Sequence, residues 1–184
     1  MHGYDGKNLA RSFRTVRKNT IQIAEEIPED RYGFRPAEGS RSVADTLRHM
    51  AVSTAWPIEC HGQRFTELKP EMFSAVRAKQ AQAEAELKTK ADILKALHDN
   101  GEEFAAFLEG LSNDVLAEQV TFPPQTGQEP KTRFEMLLSS KEHEMHHRAQ
   151  LMVVERMTGI VPHLTRAMDE RIAAMSRQQA AQGA

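Results

Sequence analysis

Residues 141–151 read Lys-Glu-His-Glu-Met-His-His-Arg-Ala-Gln-Leu, and they contain three of the eight histidines in the chain. The segment is predicted to be helical, so His143 and His147 project from one face of the helix, a single turn apart. Two imidazoles in this arrangement can bind one metal ion, because each offers a ring nitrogen at the roughly 2.0–2.1 Å that zinc requires. His146 could replace His147 as the partner of His143 only if the pair were rotated. The stretch therefore predicts part of a metal site on a helix.

The composition is typical of one soluble globular domain that spans residues 1–184. Apolar residues make up 40% of the chain and charged residues 27%, and the formal net charge is −2. This charge argues against nucleic acid or an anionic membrane as a partner, because both bind basic surfaces. No apolar run approaches the roughly 20 residues of a membrane span, and no apolar signal-peptide core follows the N-terminus. We therefore expect a cytoplasmic protein with no membrane partner.

Apolar periodicity predicts four principal helices, over residues 8–27, 42–58, 89–111 and 132–158. Three of them start at a hydroxyl residue followed three positions later by an acid, as in a capping box: Ser42, Thr89 and Thr132. Pro28 ends the first helix, and Gly159 is placed to cap the C-terminus of the last. Pro57 should disturb the second helix, and Gly101 should mark a close packing point on the third. No strand pattern stands out, so the predicted fold is an all-α four-helix bundle.

The remaining segments are weakly patterned. Residues 28–41 and 112–131 are long connectors, and residues 60–88 predict a short, largely exposed helix or an excursion between bundle helices. A C-terminal amphipathic segment from residue 163 is expected to pack on the bundle or on a partner. The Gln- and Ala-rich tail after Gln178 is expected to fray. The bundle core is thus predicted to span residues 8–162.

The metal site needs a further donor from another helix, as bundle sites usually have. His49 is the best candidate, because it lies inside the second helix at the margin of its apolar face. Three neutral imidazoles would leave coordination positions open, which is typical of a catalytic site. The side chains expected around these ligands or in contact with substrate are Asp45, Glu142, Glu144 and Gln150. The histidines expected to be structural or surface residues are His2, His61, His98 and His163.

An alternative interpretation comes from the same stretch, because residues 143–147 contain the H-E-x-x-H signature of zincin proteases, with Glu144 as general base. The extended metzincin form needs Gly and His at positions that are occupied here by Gln150 and Val153. The other zincin type needs a downstream acid, and the available residues lie beyond the break at residues 159–162: Asp169 and Glu170. The zincin cleft also has an edge strand, which the sequence does not predict. This alternative is therefore less favoured.

Three stretches together resemble the DinB/YfiT-like superfamily of metal-binding four-helix bundles. They are residues 35–49 (Arg-Pro-Ala-Glu-Gly-Ser-Arg-Ser-Val-Ala-Asp-Thr-Leu-Arg-His), 143–151 (His-Glu-Met-His-His-Arg-Ala-Gln-Leu) and 159–162 (Gly-Ile-Val-Pro). In that family one ligand histidine comes from the second helix, and two are the first and last of an H-x-x-x-H motif on the last bundle helix. The resemblance therefore implies three metal ligands: His49, His143 and His147. Ala149 stands where many members have glycine.

The resemblance also implies a chemistry. Characterised relatives include transferases and isomerases that use low-molecular-weight thiols such as bacillithiol, mycothiol or glutathione. By this resemblance the chain would bind a divalent metal, Zn²⁺ or Ni²⁺, which activates an incoming thiol for attack on an electrophile. Cys60, the single cysteine, is expected to be a small buried side chain and is not needed as the nucleophile. Trp56 and Arg148 are candidate substrate contacts.

Two other functions remain open at this stage. The chain could be a non-catalytic stress protein that binds a metal or small ligand as a homodimer. It could also be a metal-dependent hydrolase, in which metal-bound hydroxide takes the place of the thiolate. Both would use the same three histidines. Access to the site separates the classes, because a coordination position that opens into a pocket favours an enzyme.

Overall fold

The computed structural model describes residues 3–182, and helices make up most of the chain. The α-helices are α1 (Gly6–Glu26), α2 (Val43–Val52), α3 (Ala55–Gly62), α4 (Pro70–Glu86), α5 (Lys90–Glu109), α6 (Asn113–Ala117), α7 (Arg133–Met157) and α8 (His163–Gln182). Two short 3₁₀ turns, Glu29–Arg31 and Pro124–Thr126, lie in the connectors. Two strands, β1 (Gln119–Val120) and β2 (Lys131–Thr132), form an antiparallel pair before α7.

Four of these helices form the bundle. Helix α1 packs against α5 and α7, and α2 packs against the same two helices, so α1 and α2 lie on opposite corners. The predicted capping boxes are all present. The side chains of Ser42, Thr89 and Thr132 each accept a hydrogen bond from the backbone N–H three residues later, and the acid at that position accepts one from the backbone N–H of the capping residue. The sequence-based prediction of an all-α four-helix bundle is confirmed.

The second predicted helix, over residues 42–58, was too long. Helix α2 ends at Val52, and α3 begins at Ala55 after a short turn. Pro57 accounts for the break, because it has no N–H to donate to the carbonyl of Ser53 and its ring disfavours a straight continuation. The disturbance expected at Pro57 therefore falls one helical turn earlier.

Helix α4 occupies the segment that was weakly patterned in the sequence. Pro70 starts this helix at its first position, where the missing N–H has no intrahelical partner to lose. The helix is 17 residues long and buries none of them, so it is exposed as expected but is not short. It lies against α2, beside the C-terminal end of that helix.

The connector before α7 contains the strand pair, which corrects the expectation of a strandless chain. Each strand has two residues, too few to produce a visible alternation of polar and apolar positions. The pair positions α7, because the backbone N–H of Arg133 donates to the Glu118 carbonyl at 2.9 Å directly beside the ladder.

Helix α8 follows Gly159, whose φ of +85° is the left-handed conformation expected of a residue after a helix end. It continues to Gln182, so the expectation that the chain frays after Gln178 is wrong up to that residue. Residues 183–184 lie outside the described residues. Its apolar side chains Met168, Ile172 and Met175 are exposed, and homodimer formation stays a prediction. No helix within residues 3–182 is long and apolar enough to cross a membrane.

A buried ion pair lies at the centre of the bundle, between two apolar clusters. Arg17 of α1 donates to both carboxylate oxygens of Glu144 of α7, with Nε–Oε1 and Nη2–Oε2 distances of 2.7 and 2.8 Å. Its other donors reach the carbonyls of Leu97 on α5 and Met50 on α2, at 2.7 and 3.1 Å. Gly101 makes room for this side chain, since a Cβ there would lie 2.8 Å from Arg17 Cγ. One guanidinium thus joins all four bundle helices.

Replacing only one partner of this ion pair should strongly destabilise the fold. Arg17→Met leaves the Glu144 carboxylate buried without its partner, so we expect a loss of about 3–5 kcal/mol in the free energy of unfolding. The double variant Arg17→Met/Glu144→Leu should recover most of that loss, because no isolated charge remains. Urea denaturation measures both. Arg14→Met, at an exposed ion pair with Glu102, is the control and should change stability much less. An Arg17→Met variant as stable as this control would contradict the prediction.

Glu155 of α7 predicts a pH dependence of stability. Both of its carboxylate oxygens are buried without a hydrogen-bond partner among residues 3–182. Burial, together with nearby Glu26, raises its pKa from 4.5 to about 7. The folded state therefore holds this proton more tightly than the unfolded state, and the associated stability is lost as the pH rises through about 7. Glu155→Gln should raise the urea midpoint at about pH 8 more than at about pH 5. The exposed Glu142→Gln is the control, and equal effects at both pH values would contradict the assignment.

Candidate metal centre

Three histidines from two helices converge at one point between α2 and α7. The Nε2 atom of His143 lies 3.1 Å from Nε2 of His49 and 3.1 Å from Nε2 of His147. His143 and His147 are one turn apart on α7, and His49 faces them from α2. All three ligand atoms lie within 4.8 Å of one another. The structure thus brings together the three residues that the sequence pointed to.

The other ring nitrogens have acceptors that fix the orientation of two imidazoles. His49 Nδ1 lies 3.2 Å from Glu84 Oε1 on α4, and His147 Nδ1 lies 2.8 Å from Gln150 Oε1. Because both partners are oxygen acceptors, each Nδ1 carries the proton and each Nε2 presents its lone pair to the common point. Such outer contacts are characteristic of metal-binding histidines.

The electrostatics of the site keep its histidines neutral. Burial, with additional repulsion from Arg41 and the neighbouring histidines, lowers the pKa of His49 and of His143 to about 4. Burial also lowers the pKa of His147. At neutral pH the three rings are therefore available as ligands without first losing a proton.

The donor set fits a divalent metal ion. Two nitrogens that are each about 2.1 Å from one ion in a tetrahedral arrangement lie about 3.4 Å apart, close to the two 3.1 Å separations. Imidazole nitrogens are suitable ligands for both zinc and nickel. Within residues 3–182, no fourth Cys, Asp, Glu or His side chain joins the cluster. A bound ion would retain open positions.

Two cavities flank the three histidines. One, of about 390 Å³, is lined by His49 and His143, and its other walls include Trp56, Pro57, His61, Phe122, Lys131 and Ser139. The other, of about 420 Å³, is lined by His147, with Arg41, His146 and Gln150 among its neighbours. The site is therefore accessible to small molecules.

The other candidate residues divide into two groups. Trp56 lines the first cavity, and Gln150 contacts His147, so both lie at the site. Asp45 instead caps α2 and pairs with Arg35 at 2.8 Å, and Glu144 is buried against Arg17. Arg148 is half-buried and lines neither cavity. Asp45 and Glu144 thus stabilise the scaffold, by capping and by ion pairing, and Arg148 lies outside the lining of both cavities.

The zincin alternative does not fit these contacts. Its general base would be Glu144, but this carboxylate faces Arg17 in the bundle interior. Its third ligand would lie downstream on a following helix, but the third imidazole comes from α2. Both downstream acids, Asp169 and Glu170, are exposed on α8.

Glu84 is the functional candidate that the sequence did not reveal. It lies on α4, whose residues follow no apolar stripe, and nothing in its local sequence distinguishes it from the other acids of that segment. Among the histidines expected to be structural or exposed, His163 is buried beside Asn19 and His98 is exposed. His61 is buried but lines the first cavity, and His2 lies outside the described residues.

Glu84 gives a prediction for the site. Its contact with His49 Nδ1 orients the ring and increases its basicity, so Glu84→Ala should weaken divalent-metal binding by about 10–100-fold. Competition with a chromophoric chelator measures the affinity. The exposed Glu86→Ala, two residues away on the same helix, is the matched control. Equal affinities in the two variants would show that Glu84 does not support the site.

A family model described as the DinB superfamily matches residues 12–151. YjoA from Bacillus subtilis is 28% identical to this chain over 148 residues, which cover 80% of this chain and 86% of YjoA. The crystal structure of YjoA, a DinB-like protein, matches with a TM-score of 0.61 and 24% identity, over 83% of this chain and 92% of that one.

Two further solved structures share the fold. Bacillus subtilis YfiT, described as a probable metal-dependent hydrolase with an unusual four-helix-bundle topology, matches with a TM-score of 0.65 and 16% identity over 87% of this chain and 91% of YfiT. A DinB-like protein from Bacillus cereus matches with a TM-score of 0.63 and 14% identity over 84% of this chain and 93% of its own. The bundle, the convergent histidines and the match over most of its length agree: this chain belongs to the DinB superfamily.

Proposed function

We propose that His49, His143 and His147 bind a divalent metal ion, Zn²⁺ or Ni²⁺, and that the protein is a metal-dependent S-transferase acting on a low-molecular-weight thiol and an electrophile. The observation that carries this proposal is the convergence of three neutral Nε2 atoms between two cavities, with no fourth Cys, Asp, Glu or His ligand among residues 3–182. Such a site resembles catalytic metal centres, which keep a coordination position for water or substrate.

In this proposal the residues around the site orient the metal ligands and contact the substrate. The metal ion would supply Lewis acidity that holds a thiol in its thiolate form at neutral pH. Glu84 and Gln150 orient two of the ligand rings. Trp56 and Pro57 offer apolar surface to a substrate, and a cavity of about 390 Å³ is of the size that encloses small molecules.

Cys60 does not compete with an external thiol as the nucleophile. Its side chain is buried beside Leu68 and Val120. Burial raises the pKa of its thiol to about 11, so it stays protonated at neutral pH. A thiol that reacts in this protein must therefore enter from outside.

Metal-dependent hydrolysis is the second candidate. YfiT, with the same fold, carries that description. The ligand set would be unchanged, and water would replace the thiol in the open position. A non-catalytic binding protein is less well supported, because two cavities reach the histidines.

The metal site is tested by plasma mass spectrometry of the purified protein. We expect about one divalent ion per chain in the wild type and loss of that ion in His49→Ala and in His143→Ala, because each variant removes one of three ligands. His98→Ala, at an exposed histidine of α5, is the control and should retain the ion. Retention without His49 but loss without His143 would revive the zincin alternative. Absence of metal in every sample after reconstitution would refute the site.

The activity is tested on the same samples with glutathione or bacillithiol and a chlorodinitrobenzene as electrophile. We expect thiol transfer in the metal-loaded wild type and in His98→Ala, and loss of transfer in His49→Ala. Full transfer by metal-free His49→Ala would refute the mechanism. Metal-dependent hydrolysis of activated esters without any thiol, together with no thiol transfer, would establish the hydrolase instead.

A further inference from the structure

His61, which lines the cavity that contains His49 and His143, forms a buried pair with Arg133. His61 of α3 is 2% exposed, and Arg133, the first residue of α7, is fully buried. Arg133 Nη1 lies 3.2 Å from His61 Nδ1. A guanidinium can only donate, so Nδ1 must accept and the proton of the neutral imidazole must be on Nε2. Arg133 thereby fixes the tautomer of His61.

The Nε2–H of His61 is the free donor of this pair. His61 lines that cavity together with His49 and His143. Its Nε2 has no hydrogen-bond partner among residues 3–182, yet it is not one of the fully buried unpartnered atoms of that part of the chain. Nε2 is therefore partly accessible. Burial and the Arg133 charge lower the pKa of His61 to about 4, so the ring is a neutral hydrogen-bond donor at pH 7.

Lys131 brings a cation to the same cavity. Lys131 lines the cavity with its ammonium 5.7 Å from the centre of the Phe122 ring, and no carboxylate of residues 3–182 forms an ion pair with it. Glu135 also lines the cavity. Its carboxylate accepts from the backbone N–H and the hydroxyl of Thr132, and these bonds together with the nearby Lys131 charge lower its pKa, so it is ionised at neutral pH. Behind His61, Arg133 adds a buried charge that shares Glu118 with Arg64. A neutral donor, a cation and one carboxylate thus line the cavity that also contains His49 and His143.

We propose that His61 and Lys131 bind a carboxylate of the small molecule that occupies this cavity, with its thiol end at His49 and His143. The thiol end rests on the proposed function, whereas the carboxylate end rests on the His61–Arg133 pair and on Lys131. The substrate class is then a thiol that carries a carboxylate, and His61 determines specificity without taking part in bond making.

The proposal is tested by calorimetry on the metal-loaded protein with mercaptopropionate and with mercaptopropanol, which has a hydroxyl in place of the carboxylate. We expect the wild type to bind the carboxylate probe about tenfold more tightly, because hydrogen bonds to a charged group are the stronger ones. His61→Phe and Lys131→Met should each abolish most of this preference and leave the affinity for mercaptopropanol unchanged. His61→Gln, which retains an N–H donor, should keep part of the preference, and Lys95→Met, on exposed α5 surface, should keep all of it.

A second measurement separates this inference from the metal chemistry. Nitrogen NMR of His61 in metal-free His49→Ala should show the Nε2–H tautomer and a shift of Nε2 on addition of propionate. An unchanged carboxylate preference in folded His61→Phe, or no shift of His61 Nε2 with propionate, would overturn the proposal. If neither thiol binds the wild type while propionate still shifts His61, the proposed thiol transfer fails and the carboxylate site stands.

Discussion

The bundle depends on the ion pair between Arg17 and Glu144. Two charges are removed from water at the centre of the fold, and such burial costs free energy that the Coulombic attraction scarcely offsets. Its importance is therefore orientation. Glu144 must face Arg17, and since each residue of an α-helix turns by about 100°, this fixes the rotation of α7 about its axis. His143 and His147 are then directed towards α2 and His49.

Much of the fold was accessible from the sequence, because helix ends and apolar stripes are local signals. Ser42, Thr89 and Thr132 marked three helix starts correctly. The two errors, the position of the break near Pro57 and the missed strand pair, also had local causes. Pro57 acts on the carbonyl four residues earlier, so the break came before the proline. The β1–β2 ladder has strands of two residues, in which no periodicity can be recognised.

Only part of the site could be predicted from the sequence, because only local signals can be recognised in it. The i, i+4 spacing of His143 and His147 is visible in the sequence, but the contact of Glu84 with His49 joins residues on separate helices and has no local pattern. Glu144 was expected beside the metal ligands or the substrate, because it follows His143 directly in the sequence, but its carboxylate is buried against Arg17. Its partner Arg17 lies 127 positions away, and a single sequence gives no sign of that pairing. The sequence therefore predicted the metal ligands that are close together in the chain, but not the pairs of charged residues that are far apart in it.

In helix α4, support of a metal ligand is separated from packing of the protein core, two roles that most metal sites combine. It contributes Glu84 to the histidine site but fully buries none of its own residues, so few of its positions, such as the half-buried Met72, are constrained by packing. Substitutions along α4 can change the basicity of a ligand ring while the four-helix core stays the same. The chain thus has a module through which the strength of metal binding can vary independently of fold stability.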